Sequence, residues 1–239
     1  MTLLPGVLAL ALATVHVFAG RVRSFQVIPR SYWLSMAGGA SVAYVFVHIL
    51  PELSEGKTVL EGVVFLARFL ERHVYLVALI GFALFYGLER FARAFGRDEG
   101  RGGMGIWVFW IHIGSFTAYN ALIGYLLVHR EETGLASLAF FAAAMGLHFV
   151  VNDYGLREHH ENIYDRFGRW LLAAAVVVGW MVGSTTHINE PAVNTLFAFL
   201  AGSIVLNVIK EELPEERESR FWAFALGAAG YTALLLLTL

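Results

Sequence analysis

His148, Asn152 and Asp153 lie inside a run of mostly apolar residues between Glu132 and Arg157. A charged side chain at the centre of a membrane-length helix costs roughly 2.5–3.5 kcal/mol on insertion scales, so such residues usually face a protein interior or a water-filled path. His148 and Asn152 are four apart and share a helix face, with Asp153 to one side. Imidazole nitrogen, amide oxygen and carboxylate together can hold Zn²⁺ or another first-row dication. The other reading is a hydrogen-bonded cluster that only joins helices.

A second polar stripe holds His112, Ser115, Tyr119 and Asn120, with His112 and Tyr119 on one face two turns apart. Alone, this stripe reads as structural. His48 and Glu52 flank Pro51 at the end of an apolar run, where they form either a mouth for cations or a simple helix end. His16 and His187 stand singly and read as structural. The stretch Arg157-Glu158-His159-His160-Glu161 reads as a solvated loop with at most weak metal affinity, and Asn207 precedes a charged helix end at Lys210.

These residues need a scaffold that holds them at membrane depth. Hydrophobic residues make up 58% of the 239 and charged ones 15%, where soluble domains carry about 25% charged. The mean hydropathy is +0.63. Apolar runs fall at about 3–20, 32–50, 73–89, 105–128, 135–156, 168–187, 192–210 and 221–239. Each suits one span of about 20 residues, so the chain is expected to be an all-α, eight-helix transmembrane bundle forming a single domain. The first run lacks a basic segment before it and reads as a retained span rather than a signal peptide. Residues 51–72 carry helically spaced apolar residues and suggest an interfacial amphipathic helix. Residues 90–103 read as a flexible basic loop.

With the N-terminus outside, 13 of the 17 Lys and Arg fall on the inner face, which satisfies the positive-inside rule. The expected location is therefore an integral, plasma (inner) membrane protein with both termini on the outer side. Small residues cluster at 36–43, 142–146, 201–203 and 227–230, as expected where helices pack closely in lipid. With no cysteine, disulfides, thiolate ligands and covalent haem attachment are excluded. No hydrolytic or transferase constellation, phosphate-binding loop or nucleic-acid signature is visible, so neither an enzyme nor a nucleic-acid partner is expected.

The run GGASVAYVFVHILPEL, ending in His48-Ile49-Leu50-Pro51-Glu52, resembles the second span of the ZIP (Zrt/Irt-like) divalent metal transporters. The run FLAGSIVLNVIKEELPEE resembles their seventh. Eight spans and a long inner loop after the third fit the same family. The resemblance implies transport of a divalent ion, with zinc foremost, as the substrate, and no resident cofactor. Its partners would be that ion and the lipid bilayer, with a homodimer left open.

The family's metal site lies on spans four and five, and there this sequence departs. The fourth-span pattern His-Asn-x-x-Asp/Glu-Gly appears as Tyr119-Asn120-Ala121-Leu122-Ile123-Gly124. The fifth-span pattern His-Glu-x-Pro-His-Glu appears as His148-Phe149-Val150-Val151-Asn152-Asp153. Carried over residue by residue, the expected metal set is Asn120, His148, Asn152 and Asp153. His48, Glu52, His112 and Tyr119 line the expected pathway. Asp153 is the one carboxylate left, which implies a single, simplified site, and without the proline span five should run straighter. Two alternatives stand beside transport. One is a ZIP-related protein that has lost transport and serves as a sensor, partner subunit or scaffold. The other is a b-type haem protein using His16, His112 and His148.

Overall fold

Backbone in lipid must satisfy its own hydrogen bonds, which leaves an apolar run of this length the α-helix. In the computed structural model every one of the eight apolar runs is helical. The structure describes residues 3–18, 30–51, 74–96, 104–129, 134–212 and 220–238. Among them are eight α-helices and no strand: α1 (Leu3–Phe18), α2 (Arg30–Tyr44), α3 (Val74–Gly96), α4 (Met104–Leu126), α5 (Leu135–Ile163), α6 (Arg169–Thr185), α7 (Glu190–Glu212) and α8 (Phe221–Thr238). Three stretches have both the length and the apolarity of a membrane span: Tyr32–Ile49, Leu135–Arg157 and Tyr164–Thr185. Large apolar side chains point outward on many helices, including Leu10 on α1, Leu79 on α3, Val178 on α6 and Leu226 on α8. In water such surfaces would aggregate; against lipid they are ordinary.

Glycine decides which helices touch. A methyl group at Gly39 of α2 would overlap the Phe224 carbonyl of α8, and one at Gly227 of α8 would overlap the Met36 carbonyl of α2. Gly81 and Gly202 make the same reciprocal contact between α3 and α7, against Phe199 and Ala78. Gly124 on α4 meets Val176, and Gly179 on α6 meets Ala121. Missing side chains thus let three pairs of backbones meet directly, which is how helices gain packing energy in lipid. Gly124, the position matched to the family's fourth-span glycine, has this packing role.

The remaining helices, α1 and α5, carry His16 and Asp153. α5 packs on α1, α2 and α7, while α1 lies against both α5 and α6. Phe141, Met145 and Phe149 of α5 are fully buried. Tyr231 of α8 donates a hydrogen bond to the Phe140 carbonyl at 2.6 Å and so ties α8 to α5. Tyr231→Phe should cost about 1 kcal/mol, read as a fall of a few degrees in Tm of the detergent-purified protein. An unchanged Tm would remove this tie from the account.

Helical bonding does not stop where a loop was expected. Residues 157–161 belong to α5, which passes into a π-helical segment, Tyr164–Gly168, and then into α6. Arg157 explains part of this: its Nε and Nη2 donate to the two Asp165 oxygens at 2.9 and 2.8 Å, a bidentate clamp that holds the segment helical. The path cannot be straight. A straight helix would set Asp153 and Trp180 about 40 Å apart, whereas their α1 partners His16 and Gly6 are separated by about 15 Å of helix. The chain therefore bends sharply between them, and π-helical turns are a usual place for it. Around Val151 α5 is regular, as expected from the missing proline.

Residues 90–96, read from sequence as part of a loop, complete α3. The expected amphipathic helix at 51–72 lies, apart from Pro51, outside the described residues.

A buried polar cluster as the candidate functional site

The costliest residues of α5 are paired. Asp153 is 1% exposed and His16 of α1 is 0% exposed, and His16 Nδ1 lies 2.9 and 2.8 Å from the two carboxylate oxygens. That geometry suits an Nδ1–H donating to both oxygens at once. His16 also packs its ring on Phe149, with centroids 4.2 Å apart. The buried Tyr164 hydroxyl, brought back by the bend, sits beside Asp153 without completing a hydrogen bond of ordinary geometry.

A second dyad joins α5 to α4. Tyr119 Oη and His148 Nε2 are 3.1 Å apart, and both residues are buried. His148 and Asp153 are five residues apart, about 7 Å along the helix axis. Five residues also turn the helix by about 140°, so the two dyads leave α5 toward different neighbours, α1 and α4.

Several polar atoms in this region are buried without a hydrogen-bond partner: His16 Nε2, His148 Nδ1, Asn152 Nδ2 and Asn120 Oδ1. Asn120 spends its amide N–H on the Phe116 carbonyl of its own helix at 2.8 Å. Unsatisfied buried groups each cost about 1–3 kcal/mol and are rare in native cores. Four such atoms on α1, α4 and α5 carry that cost.

All four residues of the expected metal set are buried in the bundle. Asp153 and His148 are each held by a residue from another helix, His16 and Tyr119. Among the described residues no three of His, Cys, Asp and Glu converge. Ile123 and Phe149, which stand where the family carries acids, are fully buried hydrocarbon.

Of the expected pathway, Tyr119 joins the cluster and His112 is half-buried two turns away on α4. His48 needs correction. It is 6% exposed rather than solvated, and its ring packs on Tyr44 with centroids 5.0 Å apart. It lies in a π-helical segment, Val45–Ile49, where the Leu50 N–H reaches back to the Val45 carbonyl. The wide turn suits Pro51, whose ring would crowd the carbonyl four residues before it in a regular helix. Glu52 lies outside the described residues, as do the side chains of His159 and His160. Asn207 is buried on α7 and hydrogen-bonds to neither dyad.

His16 is the residue that sequence reasoning passed over as structural. A lone histidine within an apolar run is itself a signal, since an ionisable group at that depth is a functional candidate by default. His187 is not alone either. It meets His129 edge-on, with centroids 6.1 Å apart, and the His129 Nε2–H donates to the Gly183 carbonyl at 2.8 Å. Compared with known proteins, the chain matches no family model and no curated protein.

Proposed function

We propose that this chain is an integral membrane transporter for a divalent cation, zinc or a close relative, built as a divergent ZIP-like bundle whose eight helices all cross the membrane. The orientation is that of the basic residues, with the termini outside in a plasma (inner) membrane. One observation carries the proposal: a carboxylate bound to one imidazole, and a second imidazole bound to a tyrosine, are buried between helices with one ring nitrogen of each imidazole left bare. Groups that cost this much to bury are retained for a pathway or a relay far more often than for packing.

In this reading the cation loses water as it enters the bundle and is held among His16, His148 and Asp153, with the Asn120 and Asn152 amides beside them. The carboxylate offsets one of its two charges. The residual charge keeps binding weak, which suits a site that must release its ion. Asp153→Ala removes the only negative charge of the cluster, so uptake of Zn²⁺ into proteoliposomes should fall to the level of empty vesicles. The comparison requires that the variant elutes as wild type and keeps its helical content. Wild-type rates from Asp153→Ala would refute transport through this cluster.

A second reading keeps the fold without transport, as a sensor, partner subunit or scaffold. It is favoured by the absence, among the described residues, of any group of three metal-binding side chains. Wild-type protein that takes up none of Zn²⁺, Fe²⁺, Mn²⁺ or Cd²⁺ would decide for it.

A further inference from the structure

We infer that the end of α6 which the basic residues place at the inner face binds an anionic phospholipid. Its phosphate is held by the Arg166 and Arg169 guanidinium groups, and an acyl chain lies along the outward face of the helix. The inference needs α6 to cross the bilayer and is separate from the cation reading, since a chain that moves no ion can still select its lipids.

The charges come first. Arg157 occupies both oxygens of Asp165, at 2.9 and 2.8 Å, so that carboxylate is spent. Arg166 and Arg169 follow it directly, and among the described residues neither meets a carboxylate or donates a hydrogen bond. The side chains of Glu158 and Glu161 lie outside the described residues. Each guanidinium lies over an aromatic ring instead: Arg166 Cζ is 5.2 Å from the Phe167 centroid and Arg169 Cζ is 5.3 Å from that of Trp170. A cation is attracted to a ring face at this range. Stacking also holds the guanidinium flat with its edge free, and that edge is the fork that takes phosphate oxygens in pairs. Arg169 Nε is buried without an acceptor, a donor that the protein alone leaves unmet.

The two rings begin a longer track. Phe167 is 45% and Trp170 53% exposed, and Leu171, Val178, Met181 and Val182 carry the exposed apolar surface on along the same helix. From Trp170 to Val182 these positions fall within about 120° of arc and cover about 18 Å, the depth of one leaflet of a hydrocarbon core about 30 Å thick. An indole prefers the level of the headgroups. Two cations at the head of an apolar stripe one leaflet deep match the outline of a phospholipid; a soluble anion would gain nothing from the stripe. A zwitterionic lipid brings its own cation, so the pair of arginines selects an anionic one.

The test is native mass spectrometry of the delipidated, detergent-purified full chain, titrated with dioleoyl phosphatidylglycerol or with dioleoyl phosphatidylcholine, which has the same acyl chains. Wild type should bind the first phosphatidylglycerol more tightly by on the order of 30-fold, as two arginines at a membrane surface supply. Arg166→Gln/Arg169→Gln should bind the two lipids alike. Arg21→Gln/Arg23→Gln removes as much charge from the same face, by the count of basic residues, and should keep the preference. Equal losses in the two double variants would make the preference one of net charge and overturn the inference, as would a wild type that does not distinguish the lipids. Trp170→Leu keeps both charges and should weaken phosphatidylglycerol binding by about 2–5-fold. Should the arginine variant fail to fold, unchanged binding in Trp170→Leu is enough to overturn the site. Glycerol phosphate that displaces the lipid at matched concentration would assign the arginines to a soluble phosphate and overturn the lipid. A clear preference in protein that takes up no cation would refute transport and leave this site standing. Uptake without any lipid preference would do the reverse.

Discussion

His16→Leu is expected to lower the Tm of the detergent-purified protein by on the order of 10 °C. The substitution leaves the Asp153 carboxylate 1% exposed with its hydrogen-bonded imidazole gone. Removing the hydrogen-bonded partner of a buried carboxylate leaves it uncompensated, at a cost of about 3–5 kcal/mol. In a chain of this size each kcal/mol moves Tm by about 2–4 °C. The pair itself need not be stabilising, since two buried polar groups replaced by well-packed apolar ones are often neutral or better. The double variant His16→Leu/Asp153→Leu should therefore recover most of the loss while binding no cation. Losses that simply add in the double variant would show that the two residues are not coupled.

Gly179→Leu should be more damaging still. A first side-chain carbon at Gly179 would overlap the Ala121 carbonyl, and Gly124 one turn along the seam has the same relation to Val176. Backbone cannot rotate aside as a side chain can, so the helices must separate along the whole contact. Ordinary overpacking costs about 1–3 kcal/mol; prising apart a backbone seam belongs with the rare losses above about 4 kcal/mol. The expected result is protein that aggregates on extraction. Gly114→Ala on the same α4 is the control, because a methyl there meets nothing within 4 Å. It should be neutral or stabilising by up to about 1 kcal/mol from helix propensity alone. A well-behaved Gly179→Leu protein would mean that α4 and α6 are not in backbone contact.

Which parts of this were legible in the sequence follows from how far each signal reaches along the chain. Apolar runs are local, and all eight became helices with ends within a few residues except at α3 and α5, which run on through charged residues. At 157–161 clustered charge was read as a loop, but Arg157 reaches Asp165 only across a helical bend, a contact no composition window contains. His148, Asn152 and Asp153 stood out because polarity inside an apolar run needs no partner to be noticed. Their partners are another matter. His16 lies 137 residues from Asp153 and Tyr119 lies 29 from His148, and no spacing rule spans such gaps. The small-residue clusters were read as packing surfaces, which Gly39, Gly202 and Gly227 are. Nothing in a glycine says which carbonyl it will face. His48 was expected at a helix end because it stands close to Pro51 and Glu52, and its burial against Tyr44 depends on packing that position along the chain does not carry.

The glycine seams have one more implication when taken in chain order. α4 closes on α6, α3 on α7 and α2 on α8, so the couples nest around α5 as the rungs of a stem nest around its loop. During synthesis the innermost rung is complete first, and each later rung has little slack to close once the previous one has formed. The notch at Gly39 must wait longest, because its carbonyl partner, Phe224, arrives only with the last of the eight helices. For most of its time on the ribosome α2 carries an open groove cut to fit a helix. In that interval, the residues that hold the finished bundle together are the ones most exposed to the wrong neighbour.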